Sequence, residues 1–179
     1  MASIYYINLS VFQSMPDAWA IDQLFPILPI HRLNETPSCR GTLADLTCDS
    51  DGKITQFIDL RDVKHVLELH PLQPGKPYYL GMFLGGAYQE IMGNLHNLFG
   101  DTNAVHIHMT PKGYQVEHVV KGDTMTEVLG YVQYDAEDMI ENIRRRSELA
   151  LHDNQITLEE SQLLLQHYEQ SLGQYTYLT

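Results

Sequence analysis

The chain is poor in cysteine and in positive charge. Of its 179 residues only Cys39 and Cys48 carry thiols, and 11 Lys and Arg stand against 23 Asp and Glu. Two cysteines without metal-type spacing exclude a disulfide framework and a Cys-based zinc site, and the expected compartment is a reducing cytoplasm. The net charge of −12 disfavours nucleic acid and anionic membranes as partners. It favours cationic ligands, although an acidic balance often serves solubility alone. No apolar run approaches the length a bilayer requires, and the start of the chain does not read as a secretory leader. Lysine is scarce as well: Lys53, Lys64, Lys76, Lys112 and Lys121 all lie in polar or turn-like surroundings. There is no glycine-rich phosphate loop, internal repeat or low-complexity segment.

What is present reads first as β structure. Ser3 to Phe12 is rich in β-branched and aromatic residues and opens directly as a strand, so a longer chain is expected upstream. Ser14 and Pro16 start a short helix through Asp17, Trp19, Asp22 and Phe25. Ile27 to Leu33 reads as an edge strand, limited by Pro29. Gly41 to Thr47 and Lys53 to Leu60 form a central hairpin. Leu60 to Pro77 is expected to be irregular, and Tyr78 to Leu84 a buried strand. Asn103 to Met109 and Tyr114 to Val120 alternate polar and apolar residues about Pro111-Lys112-Gly113, a second hairpin. After Gly122 the period changes to 3.6, and Asp123, Asp135 and Thr157 begin three helices, the last with Glu160 in a capping box. The division expected is a β domain over residues 1–122 and a helical segment over 123–179.

The chemistry concentrates in Cys48-Asp49-Ser50-Asp51-Gly52, at the turn of the central hairpin. Carboxylates beside a thiol disfavour the thiolate, which suits a proton donor better than a nucleophile. The same carboxylates attract a cation. A buried cysteine followed by a polar turn is the plainer alternative, and Asp51 is either a second cation contact or, as expected here, a turn former. His106-x-His108 places two imidazoles on one strand face, but without an acidic or cysteine partner nearby no metal site is expected. Arg144-Arg145-Arg146 stands alone in an acidic chain and reads as a cluster near a helix C-terminus. Trp19 and the tyrosines read as core or interface.

The strings PDAWAIDQLFPILPIHRL, LADLTCDSDGKI, YYLGMFLGGAYQEIMGNLHNLFGDTNAV and GQYTYL resemble the C-terminal part of the biosynthetic arginine decarboxylase family. That family is a branch of the fold-type III pyridoxal-phosphate decarboxylases, with ornithine and diaminopimelate decarboxylase as relatives. The resemblance covers nearly the whole chain. It implies a mainly β, sandwich- or barrel-like C-terminal domain followed by a small helical tail, α+β overall, with the cofactor-binding (β/α)8 barrel absent from this chain.

By resemblance, Cys48 matches the cysteine that protonates the substrate carbon after CO2 leaves, supplied across a dimer interface. Asp49 matches the acid that holds the substrate's distal cation, Asp22 a second acidic contact, and Tyr88 the tyrosine whose hydroxyl reaches the cofactor phosphate. The implied partners are L-arginine, the upstream barrel and further copies in a homo-oligomer. The implied cofactors are pyridoxal 5′-phosphate, which needs the barrel, and Mg2+, for which the sequence offers no recognisable site. The product is agmatine, a polyamine precursor. A stand-alone domain that grips a cationic small molecule is the alternative, and the missing Schiff-base lysine is compatible with both.

Overall fold

The computed structural model describes residues 2–179, which form two compact units, one up to Asn97 and one from Leu98 onward. The first contains β1 (Ser3–Tyr6), α1 (Val11–Ser14), α2 (Pro16–Ala20), β2 (Ile27–Pro29), β3 (Cys39–Ala44), β4 (Lys53–Ile54), β5 (Phe57–Ile58), β6 (Val63–Lys64), β7 (Leu67–Leu69), β8 (Leu80–Met82) and α3 (Gly86–Met92).

Strand β3 is the axis of this unit. β1 runs parallel along it, from Ser3 opposite Gly41 to Tyr6 opposite Ala44. Its other edge takes β7 at the start, with Cys39 opposite Leu69, and β4 at the end, with Leu43 opposite Ile54. The two remaining sheets are short pairs, β2 with β8 and β5 with β6. Val11, Met15, Phe25, Leu43, Ile54, Phe57, Leu67 and Leu69 pack into one core beneath them. Each such fully buried side chain contributes about 1.5–3 kcal/mol.

The protein is α+β, and the expected mainly β sandwich or barrel gives way to small separate sheets, none closing into a barrel among the described residues. Proline is the physical reason. Pro26 and Pro29 confine β2 to three residues, and Pro71, Pro74 and Pro77 keep the stretch between β7 and β8 free of strand. The segment expected to be irregular holds β6 and β7, because Leu67 and Leu69 alternate with Glu68 and reach the core. The apolar run from Tyr78 forms only the three-residue β8 and is not buried, since Tyr79, Phe83 and Leu84 face outward.

The second unit consists of β9 (Ala104–Thr110), β10 (Gly113–Val120), α4 (Met125–Tyr131), α5 (Ala136–His152) and α6 (Leu158–Leu172). The antiparallel hairpin β9–β10 carries a bulge between Val116 and His118 and stands with the helices, not with the other strands. Gly122 therefore marks a change of secondary structure, whereas the compact units divide at residues 97 and 98.

Thr124, Asp135 and Thr157 cap the three helices, with complete capping boxes at Thr124–Glu127 and Thr157–Glu160. The first cap is Thr124, one residue beyond the expected Asp123. Asp123 is used otherwise, its carboxylate accepting the N–H of Asp101 at 2.8 Å. The terminal segment returns to lock the unit. The Tyr177 hydroxyl donates to the Gly100 carbonyl at 2.9 Å, and Thr176 Oγ1 accepts the Gly100 N–H at 3.1 Å. Arg144 and Arg145 lie in the middle of α5, both paired with Glu141. Among the described residues no helix is long and apolar enough to cross a membrane.

Candidate active site

The connection from β3 to β4 is built on a buried carboxylate. Asp45, only 2% exposed, accepts the N–H of Val11 on Oδ2 at 2.9 Å. Its Oδ1 accepts both the N–H and the hydroxyl of Thr47, at 2.8 and 2.7 Å. Asp45 thus joins the start of α1 to the residue before Cys48, and its charge lies at a helix N-terminus that favours it. Its own N–H donates to the Gly52 carbonyl at 2.8 Å, closing the loop at its base.

Gly52 is required here for space, not for the positive φ a tight turn suggests. Its φ is not among the positive ones, but a Cβ would lie 2.2 Å from Asp45 Oδ1 and 2.6 Å from Thr47 Oγ1. The turn itself is made by Asp49, whose Oδ1 accepts the Asp51 N–H at 2.9 Å and whose carbonyl accepts the Gly52 N–H at 3.1 Å. Asp49, expected as a cation contact, thereby shapes the loop as well.

At the tip, the exposed Cys48 and half-buried Asp49 face two residues that follow α3. The side-chain N–H of Asn97 donates to Cys48 Sγ at 3.5 Å. His96 Nε2 lies 3.3 Å from Asp49 Oδ2, close enough for an ion pair but without hydrogen-bond alignment. The His96 ring packs tilted against Phe12 at a centroid distance of 4.4 Å, and Phe12 packs tilted in turn against Trp19 at 5.1 Å. Asn97 and Leu98 both have left-handed backbones, at φ 56° and 59°. Asn adopts this conformation readily, whereas Leu pays roughly 1–2 kcal/mol for it.

Helix α3 is fixed by a reciprocal pair with α2. Gln89, 4% exposed, accepts the Asp17 N–H at 3.1 Å, and its amide donates to Asp17 Oδ2 at 2.8 Å. With Gln89 inward, Tyr88 points out, 65% exposed, its hydroxyl without a hydrogen-bond partner among the described residues. Asn94 closes the segment by donating its N–H to the Phe12 carbonyl at 3.1 Å.

The structure brings Cys48 and Asp49 together with His96 and Asn97. Asp22 and Tyr88 are not part of that group. Asp22, at φ 55° after α2, lines a separate cavity of about 120 Å³ with Trp19, Asp51, Lys53 and Gln56. Small-molecule pockets run to about 300–1,000 Å³, so this cavity holds no amino acid by itself. None of the five lysines is buried, and Lys64 is already paired with Glu68. The residues of this chain therefore do not fit a pyridoxal-phosphate site of their own. No cluster of three or more His, Cys, Asp or Glu side chains able to hold a metal occurs among the described residues.

Asp45, His96 and Asn97 went unmarked in the sequence. The signal for Asp45 was there: a carboxylate in step with the inward-facing Leu43, two residues along the strand. For His96 and Asn97 there was none, because their role depends on a contact across 47 to 49 residues.

Residues 125–178 match the family described as the arginine decarboxylase C-terminal helical extension. Over 99% of its length the chain is 80% identical to a biosynthetic arginine decarboxylase of Nostoc sp., and it covers 26% of that protein. It is 75% identical over 100% of its length to the corresponding protein of Thermosynechococcus vestitus, covering 28% of it. The crystal structure of the biosynthetic arginine decarboxylase from Campylobacter jejuni matches with a TM-score of 0.85 at 34% identity, over 98% of this chain and 29% of that one. The chain spans little more than a quarter of the length of these curated relatives. It belongs to the biosynthetic arginine decarboxylase family and corresponds to its C-terminal part.

Proposed function

We propose that this chain is the acid- and cation-binding part of an arginine decarboxylase, which converts L-arginine to agmatine and CO2 on the way to polyamines in the cytoplasm. The observation that carries the reading is an exposed thiol beside a half-buried carboxylate on one anchored loop, in a chain 80% identical to a named decarboxylase. In this reading an upstream barrel supplies the lysine and most of the cofactor site, and the first unit serves as the β domain beside it. Pyridoxal phosphate, when bound there, supplies the electron sink for loss of CO2. The chain's own residues do the rest. Asp49 accepts hydrogen bonds from the guanidinium, a charge-assisted contact suited to a planar cation. Cys48 gives its S–H proton to the carbon that has lost CO2: a C–H bond forms, the S–H bond breaks, and solvent reprotonates the sulfur. Tyr88 offers its free hydroxyl to the cofactor phosphate, and Asp22 a second acidic contact at the rim.

Exposed apolar side chains support a larger assembly around this chain. Leu60, Leu84 and Ile91 are 99%, 84% and 85% exposed, and burial against a neighbour would remove that apolar surface from water. The reading therefore includes a homo-oligomer in which this loop reaches a neighbouring subunit's cleft. Mg2+ belongs to it only as a family trait, with no residues here assigned. The test is turnover: the full-length protein with pyridoxal phosphate should release CO2 and agmatine from arginine, and the present chain alone should release neither. Turnover by this chain alone overturns the division of labour.

A further inference from the structure

We infer that His96-Asn97 is a positioning clamp for Cys48-Asp49, with Asn97 holding the sulfur. The two dipeptides face one another residue by residue: Asn97 donates to Cys48 Sγ at 3.5 Å, and His96 Nε2 lies 3.3 Å from Asp49 Oδ2. The N–H donor occupies a lone pair of sulfur and leaves the thiol proton free, so the S–H bond can point into the open side of the loop. Without that contact Cys48, exposed on its turn, has three staggered χ1 positions to choose from. The backbone suits the contact. Asn97 makes it from a left-handed conformation, at φ 56°, and asparagine is among the few side-chain-bearing residues that adopt it at low cost. His96 is supported on one side, where its ring packs against the buried Phe12. Phe12 follows Val11, whose N–H is bound by Asp45, so one short helix supports both halves of the clamp.

The inference rests on the proposed acid role of Cys48 for its catalytic consequence only; the positioning itself stands on the geometry. It is tested in the full-length decarboxylase by Asn97→Gly, which keeps the left-handed backbone, and by Asn97→Asp, which keeps the shape but removes the donor. The rate of iodoacetamide alkylation at Cys48, followed by peptide mass mapping, should change at least threefold in both variants. Agmatine formation should fall about 5- to 10-fold, the loss of one hydrogen bond. KM for arginine should stay within twofold and the agmatine-to-CO2 ratio should drop below that of the parent, which a mere loss of stability does not produce. An alkylation rate and product ratio equal to the parent's in both variants overturn the clamp. If alkylation changes while Cys48→Ala still makes agmatine at the parent rate, the clamp stands and the acid role fails.

Discussion

Val11 gives its backbone N–H to Oδ2 of Asp45 at 2.9 Å, across 34 residues of sequence. A buried carboxylate so placed satisfies a helix N-terminus and a loop at once, and removing it leaves three donors without partners. Asp45→Ala should lower the stability of the first unit by about 2–4 kcal/mol, since each unsatisfied buried group costs roughly 1–3 kcal/mol. The measure is the urea unfolding midpoint of the full-length protein. Gly52→Ala, which drives a methyl group against Asp45 Oδ1, should be comparably damaging. Near-parental midpoints for both would mean that the loop is held by its strands alone.

Much of this arrangement was legible in the sequence, and the misses share a cause. Local periodicity gave the three helices after Gly122 and the β9–β10 hairpin, because caps and alternation are properties of adjacent residues. By contrast, the strand expected from Ser3 to Phe12 ends at Tyr6, and Ser14 closes the helix that Ser10 caps. Only Lys53 and Ile54 of the second central arm pair with β3. The capping box at Thr157 and the loop at Cys48 fell where their spacing put them. The pairing of β7 with β3, the partner of Gln89 and the clamp on Cys48 are contacts between distant segments, and no local pattern encodes them. Asp22 and Asp51 illustrate the same limit: both read as substrate or turn residues, yet they meet in one small cavity apart from the thiol.

Acid should loosen the second unit. Hydrogen bonds from Arg144 and then Arg145 draw Glu141 from an ordinary 4.5 down to about 2. Glu127 and Glu160 are lowered as well, chiefly by the backbone N–H groups of Thr124 and Thr157. A carboxyl more acidic in the folded state than unfolded stabilises fully above its unfolded value, and the contribution fades as pH falls through the folded one. Helical content followed by circular dichroism should thus hold above pH 4.5 and decline toward pH 2. Glu141→Gln should weaken that dependence in α5, and an identical acid profile in the variant would assign the effect elsewhere.

Asp49 should determine which substrates bind. In the full-length enzyme Asp49→Ala should weaken arginine by about 2–5 kcal/mol, the cost of leaving a desolvated cation unpaired. A neutral analogue of the same length should lose far less. Because Asp49 Oδ1 also holds the turn through Asp51, Asp49→Asn is the sharper variant: it keeps an acceptor for that N–H and removes the charge. Equal losses for both substrates in Asp49→Asn would reduce Asp49 to a turn former.

Cys48 carries the sharpest expectation. Its sulfur is exposed, held from one side by Asn97 and tied through Thr47 to the buried Asp45, so its removal should disturb the reaction and not the fold. Cys48→Ala in the full-length enzyme should bind arginine almost normally and still release CO2, because the thiol takes no part in that bond cleavage. Protonation of the resulting carbon then falls to water or to a poorly placed group, and agmatine formation should drop by roughly 10²–10⁴, the usual contribution of a general acid. Cys48→Ser should be nearly as poor, since a hydroxyl is a much weaker acid than a thiol. CO2, agmatine and aldehyde must be counted separately, because the diagnostic is their ratio. Without the placed acid some protonation occurs away from that carbon, and each such event gives an aldehyde in place of an equivalent of amine. Stoichiometric agmatine at the parental rate from Cys48→Ala would leave this cysteine as a packed thiol at the head of a turn.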